Sequence, residues 1–351
     1  MKIERSLFGR DRDGRDVSAY TITNSKGASI TVIDFGAVLQ SIKVPDQNGK
    51  LTDVALGYDE ASAYEINRPH FGATIGRNGN RIEGGSFSLD GVDYQLLKNE
   101  NDRNNLHSGP DGYEFRMWES EADPEKGSVT FSLLSPDGDQ GFPGEFRVSV
   151  TYTLTEDNAV RIRYEGSCDR TTVANMTNHS YFNLNGHDSG SIMGHVLQIN
   201  ADEFVPVDEY SIPYGIVTPV EDTPFDFREP KAIGRDAGQA DEQLEHTGGY
   251  DHNFALNGTG TREVACAVGD VSGITMKVIT DLPGVQFYAG NMIDASGPAG
   301  KGGVNYRPHD GFCLETQYFP NSINVLAFES PKLPEGELYQ TETVYQFGVR
   351  G

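Results

Sequence analysis

The sequence predicts an all-β protein, mostly antiparallel, forming one continuous domain over residues 1–351. Three observations carry that expectation. Residues 128 to 166 alternate apolar and polar side chains with a period of two, through Val129, Phe131 and Leu133, then Phe146, Val148, Val150, Tyr152 and Leu154, then Val160, Ile162 and Tyr164. Such a period sends successive side chains to opposite faces of a sheet. The chain carries 41 Gly and 17 Pro, which suits many turns between short strands. Helix candidates are few and short, and no repeat, low-complexity tract or linker divides the chain. Length alone would allow two domains, but all-β chains of this size often form one.

The elements follow in order. Residues 29 to 33 and 53 to 58 are β-rich runs, and Asn48-Gly49 between them is a hairpin turn signal. Residues 59 to 66 are a candidate short helix, ended by Pro69. Phe87 and Leu89 alternate up to Asp90-Gly91, and Val92 and Tyr94 alternate away, which predicts a hairpin with a two-residue turn. A polar, glycine-rich loop from 135 to 144 and the turn Glu156-Asp157-Asn158 separate the three strands of 128–166. From 192 to 235, Pro206, Pro213, Pro219, Pro224 and Pro230 punctuate short apolar runs, which reads as loops crossing a sheet surface. Strand character returns at 262–293, 323–328 and 341–349.

Charge and composition narrow the function. A net charge of -24 argues against nucleic acid or an anionic membrane as partner and disfavours an anionic substrate. A neutral ligand is compatible with it. Cys168, Cys266 and Cys313 are an odd number without metal-ligand spacing, so a reducing compartment is expected rather than a disulfide scaffold. The first fifteen residues are charged throughout, with no apolar run of a signal peptide, and no stretch approaches the ~20 apolar residues of a membrane span. The expectation is a soluble, cytoplasmic protein.

Several motifs fail on inspection. Asp137-Gly138-Asp139-Gln140-Gly141 begins like a calcium loop, but the twelfth position is Val148 where a glutamate is required. Gly300-Lys301 is followed by Gly302, not by the Ser or Thr of a phosphate loop. The eight histidines show no zinc-site pair, and there is no Gly-x-Ser-x-Gly elbow. Asn178-His179-Ser180 is a formal glycosylation acceptor, set aside because no secretory signal is seen.

What remains is a set of polar segments. Val173 to Leu184 places His179 among Asn175, Thr177, Asn178, Ser180 and Asn183, with Val173, Met176, Tyr181, Phe182 and Leu184 interleaved. Buried amides and hydroxyls must be hydrogen-bonded, and a site gripping a polyhydroxylated ligand would use them. Histidine titrates near neutrality and can move a proton there. Gly76 to Ile82 holds Arg77, Asn78, Asn80 and Arg81 in a glycine-rich loop, and Asn104 to Gly109 sets His107 between amides and a turn. Gly249 to Phe254 packs Asp251 and His252 between aromatics, and Gly311 to Gln317 puts Glu315 in an apolar β run. Taken singly, a structural role suffices for each: an ion pair for Arg81, a turn cap for His107, a helix cap for Asp251, a core histidine for His179.

Together these segments resemble the aldose 1-epimerase (galactose mutarotase) family, from about Ile30 to Phe347. The resemblance is carried by Gly76 to Ile82, Asn105-Leu106-His107, Thr177 to Leu184, Asp251-His252-Asn253-Phe254, Pro283 to Tyr288 and Gly311 to Gln317, in the family's order. Ser135 to Asp139 and Thr223 to Arg228 add minor matches. Asn78-Gly79 and Ser108 depart from the usual pattern. The resemblance implies a large, mostly antiparallel β-sandwich of the galactose mutarotase-like supersandwich kind, with few short helices and an open cleft for a hexose. It implies Glu315 as general base and His179 as general acid, with Asn80, Arg81, His107, Asp251 and Gln286 holding the sugar. It implies a free aldohexose such as galactose or glucose as substrate, no metal or organic cofactor, and a monomer or homodimer. Opening a pyranose ring needs a base at the C1 hydroxyl and an acid at the ring oxygen, and a Glu with a His can supply both. Other expectations for the same segments are an epimerase of hexose 6-phosphates, for which Arg77 and Arg81 are candidate phosphate ligands, a carbohydrate-binding module without turnover, and a glycosidase using Asp251 with Glu315.

Overall fold

The computed structural model describes residues 1–351 and is built on a nine-stranded antiparallel sheet. Its strands lie in the order Glu119–Asp123, Ser128–Ser135, Phe146–Leu154, Ala159–Cys168, Leu338–Val349, Ile274–Thr280, Arg262–Val268, Val196–Ile199 and Lys231–Ala232. The last strand of the chain sits in the middle. It pairs Gly166 with Tyr339 on one side and Met276 with Phe347 on the other, and so joins the two halves of the sheet. The alternation of Phe146, Val148, Val150, Tyr152 and Leu154 becomes one fully buried face.

Two five-stranded sheets accompany it. An N-terminal meander runs Lys2–Arg10, Asp16–Thr23, Ser29–Ile33, Val38–Pro45 and Leu51–Asp53 in sequence order. The other sheet runs Thr218–Pro219, Glu203–Val205, Asp251–Ala255, Gly284–Tyr288 and Cys313–Gln317. All three contribute to one apolar cluster of 56 buried residues, the main core of a sandwich, with smaller clusters of 18 and 6 beside it. Ile22, Ile30 and Val32 come from the meander, Val150, Ile162 and Phe347 from the large sheet, and Phe254, Phe287 and Leu314 from the third. Each such side chain contributes roughly 1.5–3 kcal/mol on burial. The two α-helices, Ala61–Tyr64 and Glu242–Thr247, are short. Neither is long and apolar enough to cross a membrane.

The hairpin around Asp90-Gly91 forms as expected, with Leu89 opposite Val92 and both turn residues at positive φ, 52° and 80°. Elsewhere the structure corrects the sequence expectation. Asn48-Gly49 turns between Val38–Pro45 and Leu51–Asp53, so a strand not foreseen lies between the two expected runs. Beyond Asp53 the strand ends: Val54 N–H still bonds Ile42 O, Ala55 bridges to Phe182 and Leu56 N–H bonds Tyr181 O. The proline-punctuated stretch contributes Val196–Ile199 to the large sheet rather than only loops. Residues 323–328 are turns, not a strand: Val325 N–H bonds Ser322 O, Phe328 N–H bonds Val325 O, and Leu326 is fully exposed. All three cysteines are free.

Candidate active site

The third sheet presents a polar face to a cavity of about 900 Å³. That is near the upper end of small-molecule sites, roughly 300–1,000 Å³. Strand alternation explains the face. In Cys313–Gln317, Leu314 enters the core and the Thr316 hydroxyl meets Thr343, so Glu315 is turned to the other side with Cys313 and Gln317. In the two neighbouring strands Phe254 and Phe287 enter the core, which turns Asp251 and Gln286 the same way. Register places Gln286 directly between Glu315 and Asn253.

His179 reaches this face from a separate short strand, Thr177–His179, paired with Ala73–Ile75. Its Nε2 lies 3.7 Å from Glu315 Oε1, and its Nδ1 lies 3.6 Å from Cys313 Sγ. The ring stacks on Tyr181, with centroids 5.1 Å apart. Of the polar side chains around it, Asn175, Asn178 and Asn183 serve the protein itself. Asn178 donates to Gly72 O and Tyr152 Oη, Asn183 donates to Gly190 O and Asp310 O, and Asn175 accepts from Tyr318 N–H. The dense amides of this stretch therefore tie loops together. Only His179 and Tyr181 of Val173 to Leu184 line the cavity.

The other wall comes from the glycine-rich loop and the segment after it. Asn80 and His107 both adopt left-handed φ, 61° and 50°, and hold one another: His107 N–H bonds Asn80 O and Asn80 N–H bonds His107 Nδ1, each at 3.1 Å. With Nδ1 accepting, Nε2 carries the proton of the neutral ring. Arg81 is buried and grips Glu100 with its Nε and Nη2, at 2.8 to 3.0 Å. Asp251 accepts from Gln286 Nε2 at 2.7 Å. Gln286 itself stands behind Asp251 and does not line the cavity. The remaining six residues expected for the site, Glu315, His179, Asn80, Arg81, His107 and Asp251, all do. Arg77 does not. Its guanidinium is buried against Pro143 O, Gly144 O, Thr172 and Ser135.

Burial dominates the titration of the cluster. It pushes Glu315 well above the usual carboxylate range, reinforced by Asp251 and opposed by Arg81. It raises Asp251 too, against Arg81 and the Gln286 amide. It holds His179 and His107 well below the ordinary imidazole value, with His70 adding to both. The two partners at 3.7 Å are thus drawn together in proton affinity. One nitrogen each from His107 and His179 and a Glu315 oxygen lie within 4.8 Å of one another. That donor set suits sugar hydroxyls, and it is also one that a borderline divalent cation takes.

Several lining residues carried no sequence signal. His70 joins His107 and His179 in a three-imidazole cluster. Tyr58, Phe71, Tyr288 and Tyr306 also line the cavity, as do residues 292–298, Arg68 and Phe115.

Comparisons with known proteins place the chain in a family. The family model described as aldose 1-epimerase matches residues 18–346. A galactose mutarotase from Bos taurus is 39% identical over 350 residues, 99% of both chains. An aldose 1-epimerase from Escherichia coli K12 is 38% identical over 339 residues, 95% of this chain and 96% of the other. Among solved structures, the GalM/aldose epimerase homologue from C. elegans superposes with a TM-score of 0.87 at 32% identity, over 94% of this chain and 98% of that one. Galactose 1-epimerase from Lactobacillus acidophilus gives 0.86 at 28% identity over the full length of both.

Proposed function

The chain belongs to the aldose 1-epimerase family, and from that premise we propose that it interconverts the α and β anomers of free aldohexoses such as galactose and glucose. The observation that carries the proposal is the pairing of His179 with Glu315 at 3.7 Å on the floor of a cleft lined by Asn80, Arg81, His107 and Asp251. Glu315 as carboxylate takes the C1 hydroxyl proton while His179 as imidazolium protonates the ring oxygen. The C1–O5 bond breaks, leaving the open-chain aldehyde beside a neutral acid and a neutral imidazole. Rotation about C1–C2 and closure on the other face return both protons.

The pair exchanges one proton in each direction and needs no net supply. A desolvated cleft disfavours the charged form of both groups, and the neutral form is the one that accompanies the open-chain sugar. Burial therefore lowers the cost of the intermediate relative to the ion pair. Acid–base assistance of this kind contributes typically 100- to 10,000-fold per group. His107, Asn80, Arg81 and Asp251 offer donors and an acceptor to the remaining hydroxyls, and Gln286, which donates to Asp251, keeps a buried Oε1 without a partner. A monomer or a homodimer is the assembly we propose. The free cysteines fit a reducing compartment, and we place the protein in the cytoplasm. Polarimetry of freshly dissolved α-D-galactose and α-D-glucose tests the proposal. Decay of rotation no faster with the protein than without it would refute it.

A further inference from the structure

A second imidazole–carboxylate pair borders the cleft, outside the set assigned above, with His70 lining it and Glu114 buried. His70 lines the cavity, its ring centroid 4.9 Å from that of His107 and 5.4 Å from that of His179. Its Nδ1 lies 3.2 Å from Oε1 of Glu114. The Glu114 side chain is 1% exposed, and neither of its oxygens, nor His70 Nδ1, has an aligned hydrogen-bond partner in the protein. A buried carboxylate with no partner other than one imidazole is costly and has no evident structural return.

Both members are held in place by their backbones. His70 has a φ of 61°, unusual for a residue with a side chain. The turn that imposes it is clamped by Asn67, whose side chain bonds both N–H and C=O of Phe71. Gly72 N–H, two residues on, bonds His179 O, so this turn is tied to the strand carrying His179. Glu114 sits on the turn Tyr113–Phe115. A Cβ at Gly112 would meet Glu114 Oε2 at 2.3 Å, and one at Gly36 would meet Glu114 O at 2.4 Å. Strain kept at a cleft residue and glycines spent on seating a buried acid are features of a site rather than of packing.

We propose that His70, oriented by Glu114, is a further sugar-binding residue that reads one hydroxyl of the hexose through Nε2. Glu114 takes the Nδ1 side of the ring, as a carboxylate does in other oriented imidazoles. Nε2 is left to the cleft, on the side occupied by His107 and His179. The proposal rests on the cleft binding a free hexose.

The test is a residue-by-hydroxyl cycle. Removing His70 alone would leave Glu114 buried and unpaired, so the variant of choice is the double change His70→Asn with Glu114→Gln. Asn tolerates the left-handed backbone, and the amide carries no charge. Calorimetric binding is measured for D-galactose and for its 2-, 3-, 4- and 6-deoxy derivatives, with turnover in parallel. The variant is expected to bind galactose about tenfold more weakly, the loss being read by calorimetry. One deoxy sugar, lacking the hydroxyl that His70 reads, should bind the variant and the wild type equally. A uniform loss across all five sugars, or no loss for any, overturns the inference while leaving the anomerase reading intact. A wild-type protein that binds no hexose overturns both.

Discussion

His179 Nε2 and Glu315 Oε1 face one another at 3.7 Å from two strands that are not hydrogen-bonded neighbours in one sheet. The separation is too long for a hydrogen bond and short enough for both to reach adjacent atoms of one small molecule. Cys313 and Tyr181 back the imidazole, and the strand Cys313–Gln317 fixes the carboxylate. Glu315→Gln keeps shape and removes the base. We expect an intact fold, sugar affinity within a few-fold of wild type and kcat lower by at least ~100-fold. Near-normal turnover in the folded variant would take Glu315 out of the mechanism. His179→Asn is expected to lose kcat in the same manner.

The proton inventory of that pair sets a pH profile. Turnover needs one proton shared between the two groups. With two bound, no base remains; with none, no acid remains. Burial favours the neutral form of each, so the second proton binds only below the ordinary imidazole value and the last leaves only above the ordinary carboxylate value. A bell is expected whose two apparent constants belong to the pair. Asp251 adds to the upward push on Glu315. Asp251→Asn should therefore move the basic limb of kcat toward lower pH, while KM rises. A basic limb that stays in place would show that the two carboxyls do not interact.

How much of this was legible in the sequence depends on what each residue must face. The strands of 128–166 were readable because one face is buried and the other wet. The strand Lys2–Arg10 was not: no residue in it is fully buried, so charged side chains interrupt any alternation. Residues 323–328 misled because Val325 and Phe328 pack against neighbouring loops from a turn, without a ladder. The site was legible as motifs, but their roles divided in a way that composition could not give. Asn178 looks like a sugar ligand and is a tie between loops; Gln286 donates its amide N–H to Asp251 and keeps an unpartnered Oε1. His70 and Glu114 lie 44 residues apart in isolated contexts and meet only through the clamped turns. No periodicity or spacing marks such a pair.

The cluster His107, His179 and Glu315 also makes a prediction for metals. Asn80 N–H occupies Nδ1 of His107, so Nε2 of that neutral ring holds the proton and takes a metal only at the cost of this hydrogen bond, whereas Cys313 sits at Nδ1 of His179, whose Nε2 faces Glu315. Two imidazoles and a carboxylate are a common divalent-cation set. Added Zn²⁺ should inhibit competitively with the sugar, and a chelator should restore the rate. Inhibition that is noncompetitive, or that survives His107→Gln unchanged, would place the metal elsewhere.

Stability should fall with acid for reasons remote from the cleft. His195 is fully buried, accepts Leu184 N–H at Nε2, and is held by burial at a pKa of about 4, with Asp270 opposing. Its folded value lies below its unfolded one, so its contribution is complete above about pH 6.5 and is lost as pH falls toward 4. The loss is on the order of 3 kcal/mol at 1.36 kcal/mol per unit. Chemical denaturation at pH 7 and pH 4.5 checks it. His195→Gln should flatten the slope between them, and an unchanged slope would assign the acid sensitivity to other groups.

Substrate charge gives the last prediction. A hexose 6-phosphate brings a dianion into the field of a chain with net charge -24. Only unpaired cations at the cleft could offset that, preferably with bidentate geometry. Arg81 is committed to Glu100 through Nε and Nη2. Arg77 is turned away into a cage of carbonyls, which removes one of the two arginines that the sequence offered for a phosphate. Arg68 stands at the rim, where Asp294 shares its surroundings, and Asp251 and Glu315 line the floor. Galactose 6-phosphate should therefore be a poor substrate beside galactose, with a deficit in kcat/KM that shrinks as salt screens the field. A phosphate ester turned over as efficiently as the free sugar at physiological salt would mean that Arg68, or Arg81 released from Glu100, grips the phosphate. Arg68→Ala would then separate the two.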